Sequence, residues 1–383
     1  MIKGITIRLH PDEKQEQLLW KHVNCARFVW NYGLRLQQER FKNKEKHLSG
    51  YDLRKEIIAL KKTDDFIWLN EISSHTTFNI CLDLDGAYGR FFKKVTGKPK
   101  FKKKNRCKNS FPVRQDNLYF KNNCAVVEKI GKIKYQSDYK IPQGRFVYKF
   151  SNPRIKFENN KWIMTIGMEY ENQVHNLTDK KMGIDLGVKE LAVVSFGTEN
   201  IVFKNINKTK RVKTLKHKLK HLQKDVNRKY ETNNKNKVYD KKWSKSNGIK
   251  KLENQIKDIH CKLSNIRKNH IHQSTNSLVK LLPYKITMED LNISGMMKNR
   301  HLSKAIAEQC LYEFTRQIKY KCEFNGIEFV QVDRFYPSSK TCSCCGSLKK
   351  DLKLKDRVYK CNCGLEIDRD YNAAINLMNY SNV

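Results

Sequence analysis

The stretch MGIDLGVKELAVVSFGTENIVF, residues 182–203, holds two or three short apolar runs joined by glycine-containing turns. Runs of this length and punctuation read as the strands of an antiparallel meander. The first of them, Met182 to Leu186, carries Asp185 inside it, with Gly183 and Gly187 on either side. A carboxylate buried in an apolar strand is costly without a partner. A metal ion is one such partner and a backbone turn is another, and the residue alone does not choose between them.

Further along, residues 208–280 form a long polar helical stretch that begins KTKRVKTLKHKLKHLQK, with Leu215, Leu219 and Leu222 on a cationic surface. YKITMED (284–290) then reads as a strand that ends at Glu289, residues 303–324 as a helix, and GIEFVQVD (326–333) as another strand. In CGLEIDRDYNAAINLMNY (363–380) a capped helix starts near Asp370, and Ala373 and Ala374 let it lie close against a sheet. Asp368 is the rival acid, because Asp370 as a helix cap with Asp368 paired to Arg369 fits the same residues. Taken in order, Asp185 on the first strand of a meander, Glu289 on a later strand and Asp370 on the last helix follow the arrangement of RNase H-like nucleases. Three such carboxylates hold two Mg²⁺ (or Mn²⁺) ions about 3.5–4 Å apart and hydrolyse a phosphodiester.

Of twelve cysteines, seven are scattered and five crowd between Cys342 and Cys363. That clustering favours a metal in a reducing compartment over disulfides. Cys342 and Cys345 form a CxxC, and Cys361 and Cys363 close a second knuckle as CxC. Four thiolates suit a closed, structural Zn²⁺ site. Cys344 offers a competing thiol, so the ligand set is not unique on spacing. A redox CxxC would stand singly beside a βαβ unit.

Upstream, IKGITIRL (2–9) alternates apolar and polar residues as a half-buried strand does. From Asp12, an N-cap, Leu19, Val23, Ala26, Trp30 and Leu34 recur at helical spacing, and helical patterns continue through YDLRKEIIALKK (51–62) and a face made by Ile80, Leu84, Ala87, Tyr88 and Phe91. Pro99 stops helix in GKPKFKKKNRCKNSF (97–111). CAVVEKIGKIKY (124–135) and the pair IKFE and KWIMTIGMEY around Asn159 and Asn160 read as hairpins. The simplest assembly inserts the helices into a β-module to which the first strand also belongs.

Hydrophobic residues make up 39% of the 383, enough for a buried core, while 77 basic residues stand against 39 acidic ones for a formal charge of +38. Such an excess repels itself unless a polyanion neutralises it, which makes nucleic acid the natural partner. No membrane role is expected: no run reaches the roughly 18 apolar residues of a spanning helix, and the opening MIKGITIRLHPDEK lacks a signal's apolar stretch. A soluble intracellular protein is the expectation. The basic runs place Lys98, Lys100, Lys102, Lys103, Lys104, Arg106, Lys210, Arg211 and Lys213 on a nucleic-acid backbone, with Phe101, Phe111 and Trp243 available to stack on bases. Any one lysine reads more readily as a solvated surface charge, whereas the whole excess does not.

GIDLGVKELAVVS, ITMEDLNISGM, FYPSSKTCSCCG and CGLEIDRDYNAAINL together resemble the TnpB family, transposon-encoded RNA-guided endonucleases related to type V CRISPR effectors. The opening strand, PDEKQEQLLWKHVNCARFVWNYGL and FFKKVTGKPKFKKKN agree more loosely. The resemblance implies an α+β multidomain protein. A helical recognition domain (11–105) would be inserted in a wedge-type β-barrel domain (1–10 and 106–178). An RNase H-like, RuvC-type α/β nuclease domain (179–338 and 364–383) would follow, with an inserted zinc ribbon (339–363). It further implies Asp185, Glu289 and Asp370 as the Mg²⁺-binding catalytic acids and Cys342, Cys345, Cys361 and Cys363 as zinc ligands. Its partners would be a guide RNA from the transposon end and a matched target DNA beside a short motif, in the cytoplasm of a prokaryotic host. A nuclease-silent, RNA-guided repressor and a guide-free transposase or resolvase are the competing functions. Two departures stand out: Arg267, Asn269 and His272 occupy a helix where relatives commonly carry an acid, and the second knuckle is shortened to CxC.

Overall fold

The computed structural model describes residues 2–104, 107–145, 148–169, 175–235, 245–353 and 356–381, with side chains up to 232 in the fourth stretch. The chain divides into two compact units, residues 1–171 and 172–383. Among the described residues no helix is long and apolar enough to cross a membrane.

In the first unit, strand β1 (Ile2–His10) buries Ile5, Ile7 and Leu9 on one face. Helix α1 (Glu13–Lys42) starts at a capping box, in which the Asp12 carboxylate accepts from the Gln15 N–H and the Gln15 side chain accepts from the Asp12 N–H. It buries Leu19, Val23, Ala26, Val29 and Leu34, the helical stripe legible in the sequence. Helix α2 (Gly50–Leu60) opens on a Ser49–Asp52 capping box, and α3 (Ser74–Phe92) packs on both. Strands β2 (Asn109–Pro112), β3 (Tyr119–Lys121), β4 (Cys124–Val127), β5 (Gly131–Gln136), β6 (Ser151–Glu158) and β7 (Lys161–Glu169) follow. One seven-stranded sheet results, ordered β2-β6-β7-β1-β5-β4-β3, with β1 antiparallel to both neighbours. Asn159 and Asn160 both take positive φ in the β6–β7 turn, the primed geometry that matches strand twist. The strand order ends at β2 and β3 instead of closing, so the expected barrel is a half-barrel.

The second unit is built on β8 (Thr178–Leu186), β9 (Glu190–Phe196) and β10 (Glu199–Lys204), the antiparallel meander of the opening stretch. Helices α4 (Lys210–Lys235) and α5 (Asn247–Val279) lead to β11 (Pro283–Glu289), which pairs parallel with β8. Helices α6 (Ile293–Met296), α7 (Ser303–Gln309) and α8 (Leu311–Asn325) lead to β12 (Glu328–Val332), parallel to β11. Parallel neighbours need long crossovers, and these two helical segments supply them. The sheet order is β10-β9-β8-β11-β12. A two-stranded ribbon, β13 (Val358–Lys360) and β14 (Glu366–Asp368), precedes the last helix, α9 (Arg369–Met378). Helix α9 lies on β8 and β9 at backbone contact. A Cβ on Gly183 would stand 2.1 Å from the Ala374 carbonyl oxygen and 2.3 Å from the Met378 nitrogen, so only glycine fits. Ala373 and Ala374 are buried in the same contact.

Candidate active site and metal centre

Residues two apart on a strand share a face. Gly183 points at α9, so Asp185 projects on that same side near the end of β8. The parallel register sets Ile184 opposite Met288, so Asp185 and Glu289 are the next residues along adjacent strands, with backbones about 4.8 Å apart. Helix α9 brings Asp370, in its first turn, to the same end of the sheet.

The charges of Asp370 and Glu289 both reach Asp185. Asp185 is half-buried by surface, but protein surrounds its carboxylate closely enough that desolvation lifts its pKa well above the ordinary 3.8. The negative charges of Asp370 and then Glu289 raise it further. Burial and the adjacent Asp290 raise Glu289 as well. Asp370 is met by Arg369, whose Nη2 and Nε lie 2.9 and 3.2 Å from Oδ1, and by Arg357 Nη1 at 3.9 Å. Its rival takes a different job: Asp368 is the N-cap of α9, accepting from the N–H groups of Asp370 and Tyr371. The alternative with Asp370 as cap and Arg369 on Asp368 is therefore corrected on both counts.

Supporting contacts that the sequence did not announce surround the acids. Gln309, 3% exposed, aims its Nε2 at the carbonyls of Gly187, Val188 and Glu190 at 3.2–3.3 Å, and so holds the turn directly after Asp185. Asn205 donates to Val188 O at 2.9 Å. Asn372 and Asn376, buried one turn apart on α9, donate to the carbonyls of Thr341 and Ser338, and Asn372 also accepts from the Ser343 N–H. These bonds tie the helix that bears Asp370 to the first cysteine knuckle. Two asparagines in an otherwise apolar i, i+4 stripe were the signal for it. In α5, at the departing motif, Arg267 donates to Asn207 Oδ1 at 2.8 Å and pairs with Glu308 at 3.3 Å.

Cys342, Cys345, Cys361 and Cys363 bring their sulfurs within 4.8 Å of one another. Among the described residues no other group of three or more His, Cys, Asp or Glu side chains is drawn together so tightly, the three acids included. Cys342–Cys363 and Cys345–Cys361 are separated by 3.7 and 3.6 Å. Four sulfurs at about 2.3 Å from a tetrahedral Zn²⁺ stand about 3.75 Å apart, so the set fits that ion. Cys344 is exposed and outside the group, which removes it as a competitor. Glycines at positive φ, Gly346 and Gly364, turn the two knuckles. The Cys363 N–H and the Ser347 hydroxyl lower Cys361 to about 6. The donor set suggests zinc.

The basic residues divide. Lys98, Lys100, Lys103 and Lys104 are exposed in the loop after α3, and Lys210, Arg211 and Lys213 are exposed at the start of α4. Lys102 differs from its neighbours: it is half-buried, its Nζ sits 3.7 Å from the Trp30 ring centroid, and burial lowers its pKa to about 8. Phe111 is a correction, only 1% exposed in β2 and packed on His22. Phe101 is 47% exposed. Arg106 and Trp243 lie outside the described residues.

Three family models match the chain: "Helix-turn-helix domain" over residues 1–46, "Probable transposase" over 165–300 and "Cas12f1-like, TNB domain" over 312–377. Over the first stretch the structure has a strand and one uninterrupted helix. A protein of Streptomyces pristinaespiralis named "Putative RNA-guided DNA endonuclease" is 25% identical over 98% of this chain and 88% of its own length. Another from Escherichia coli (strain K12), "Putative RNA-guided DNA endonuclease InsQ", is 26% identical over 98% of this chain and 92% of its own. Among solved structures, the "Cryo-EM structure of the Cas12f1-sgRNA-target DNA complex" matches with a TM-score of 0.58 at 15% identity, over 96% of this chain and 82% of that one, a likeness of fold. These matches and the residues above agree in supporting a TnpB family protein related to Cas12f.

Proposed function

We propose that the protein is an RNA-guided DNA endonuclease whose second unit is an RNase H-like, RuvC-type nuclease interrupted by a zinc ribbon at 339–363. In this reading residues 179–338 and 364–383 form the nuclease domain, 11–105 a helical recognition domain, and 1–10 with 106–178 the wedge domain. The observation that carries it is the placement of Asp185. The fold spends strand, helix and backbone contact on burying a carboxylate beside two others, and like charges so placed call for a cation.

Asp185, Glu289 and Asp370 would hold Mg²⁺ or Mn²⁺, which when bound as a pair activates water and stabilises the leaving oxygen of a phosphodiester. The chain's own groups prepare the site. Arg369 and Arg357 offset the charge of Asp370, and Gln309 fixes the turn beyond Asp185. The exposed lysines of both units would follow a nucleic-acid backbone. The relatives' names support a guide RNA and a DNA target as the partners.

The test is a Mg²⁺-dependent cleavage assay on protein purified with its RNA, with DNA matched to that RNA. Asp185→Ala is expected to abolish cleavage while RNA binding persists. Full cleavage by that variant refutes the acid assignment, and cleavage by wild type stripped of RNA refutes guidance.

A further inference from the structure

We propose that the first unit carries a pocket for a single unstacked nucleotide, formed between α1 and the basic loop that follows α3. This deepens the nucleic-acid reading above and rests on it. On α1, Asn24, Arg27, Phe28, Asn31, Tyr32 and Arg35 recur every three or four residues and line one face of the helix. Phe101 closes the pocket from the loop.

The loop is locked in place by its backbone. Asn31 Nδ2 donates to Lys102 O at 3.0 Å, its Oδ1 accepts from Lys102 N at 2.8 Å, and Trp30 Nε1 donates to Lys100 O at 3.0 Å. These bonds bracket Phe101 and hold an apolar ring, 47% exposed, where the core does not need it. Phe28 and Tyr32 stack at 6.0 Å and 24° to form the wall.

The polar groups select the occupant. Arg27 donates to Asn24 Oδ1 at 2.6 Å, and no carboxylate of the described residues pairs with it. Arg35 lies over the Tyr32 ring at 5.3 Å, with Glu39 as an exposed partner at 3.7 Å. The two arginines stand eight residues apart, about 12 Å along the helix, with the aromatic rings between them. Among the described residues no acid lines the pocket. Planar rings take a base, flanking guanidiniums take the phosphates on either side, and amides meet the base edge. An acidic peptide would use the arginines and leave three ring faces without a role.

The test uses the full chain carrying Asp185→Ala and two single-stranded oligonucleotides of one sequence, RNA and DNA, each with a central 2-aminopurine. Stacking on Phe101 quenches that base. Phe101→Ala is expected to weaken binding about 5- to 140-fold and to abolish the quench, whereas Phe101→Trp keeps both. Arg27→Ala, at a half-buried position, combined with Arg35→Ala, at an exposed one, is expected to flatten the salt dependence by about 1.4 in log–log slope. Loss in the RNA arm alone assigns the site to guide RNA, and loss in the DNA arm alone assigns it to a DNA strand. Wild-type affinity and quench in the Phe101→Ala protein overturn the pocket alone. If an acidic peptide displaces the oligonucleotides and its own binding needs Phe101, the site is a peptide site. Failure of wild type to bind either oligonucleotide removes the nucleic-acid reading along with the pocket.

Discussion

Gly183→Ala is the smallest change that tests how α9 sits on the sheet. The new methyl would meet the Ala374 carbonyl oxygen at 2.1 Å, the Met378 nitrogen at 2.3 Å and the Met378 Cα at 2.9 Å. All three are backbone atoms, so no side chain can swing aside. To restore ordinary contact the helix must retreat by about 1 Å or the strand must bow by as much. Overpacking of this kind costs about 1–3 kcal/mol, which for a unit of this size lowers Tm by about 2–12 °C. Asp370, one of the proposed catalytic acids, rides on that helix, and a 1 Å misplacement of a catalytic group costs about 100-fold in rate. The assay pairs a thermal melt with single-turnover cleavage, and Gly4→Ala, whose methyl meets nothing within 4 Å, is the control. If Gly183→Ala melts and cleaves like the control, the backbone contact between α9 and β8 is not as described.

Three further perturbations follow from the same geometry. In chelator, wild type should lose stability relative to Asp185→Asn as pH rises above about 4. A folded-state pKa raised above the ordinary 3.8 means that the native state holds the proton more tightly than the unfolded chain, so stability present at low pH is lost on deprotonation. Parallel melts that stay a constant distance apart from pH 4 to 8 would contradict this. Cys345→Ser or Cys361→Ser should drop zinc content, read by elemental analysis, from about one ion per chain toward none, and Cys344→Ser should leave it unchanged. Gln309→Ala strips three turn carbonyls of a shared donor and should cost about 1–3 kcal/mol by denaturant titration, with cleavage reduced and RNA affinity unchanged.

Local chemistry made much of this molecule readable in advance. The meander over β8–β10 shows in its apolar runs and glycines, and the β6–β7 hairpin in two consecutive asparagines that tolerate positive φ. What escaped depends on partners distant in the chain. Phe111 looked like a loop aromatic among lysines, yet it pairs opposite Ile155 in β2 and is buried. Lys102 looked like its neighbours until Asn31 and Trp30 of α1 took hold of it. Whether a sheet closes is set by its edge strands, and nothing local in β2 or β3 declares them edges. Asp368 and Asp370 are both fit to cap, and only the helix's start separates them. Gln309 works through backbone carbonyls, which carry no sequence identity.

The placement of β1 between β7 and β5 also sets a timetable for synthesis. The strand leaves the ribosome well before its full-length neighbour, β7, which ends at Glu169. At about 5–20 residues per second, some 8–30 s separate the two. Until β5 emerges Ile5, Ile7 and Leu9 have no strand to pair with, the second neighbour comes only with β7, and α1 to α3 emerge before the strands that will flank them. The nascent first half thus carries apolar surface that is covered only in stages, as each flanking strand arrives.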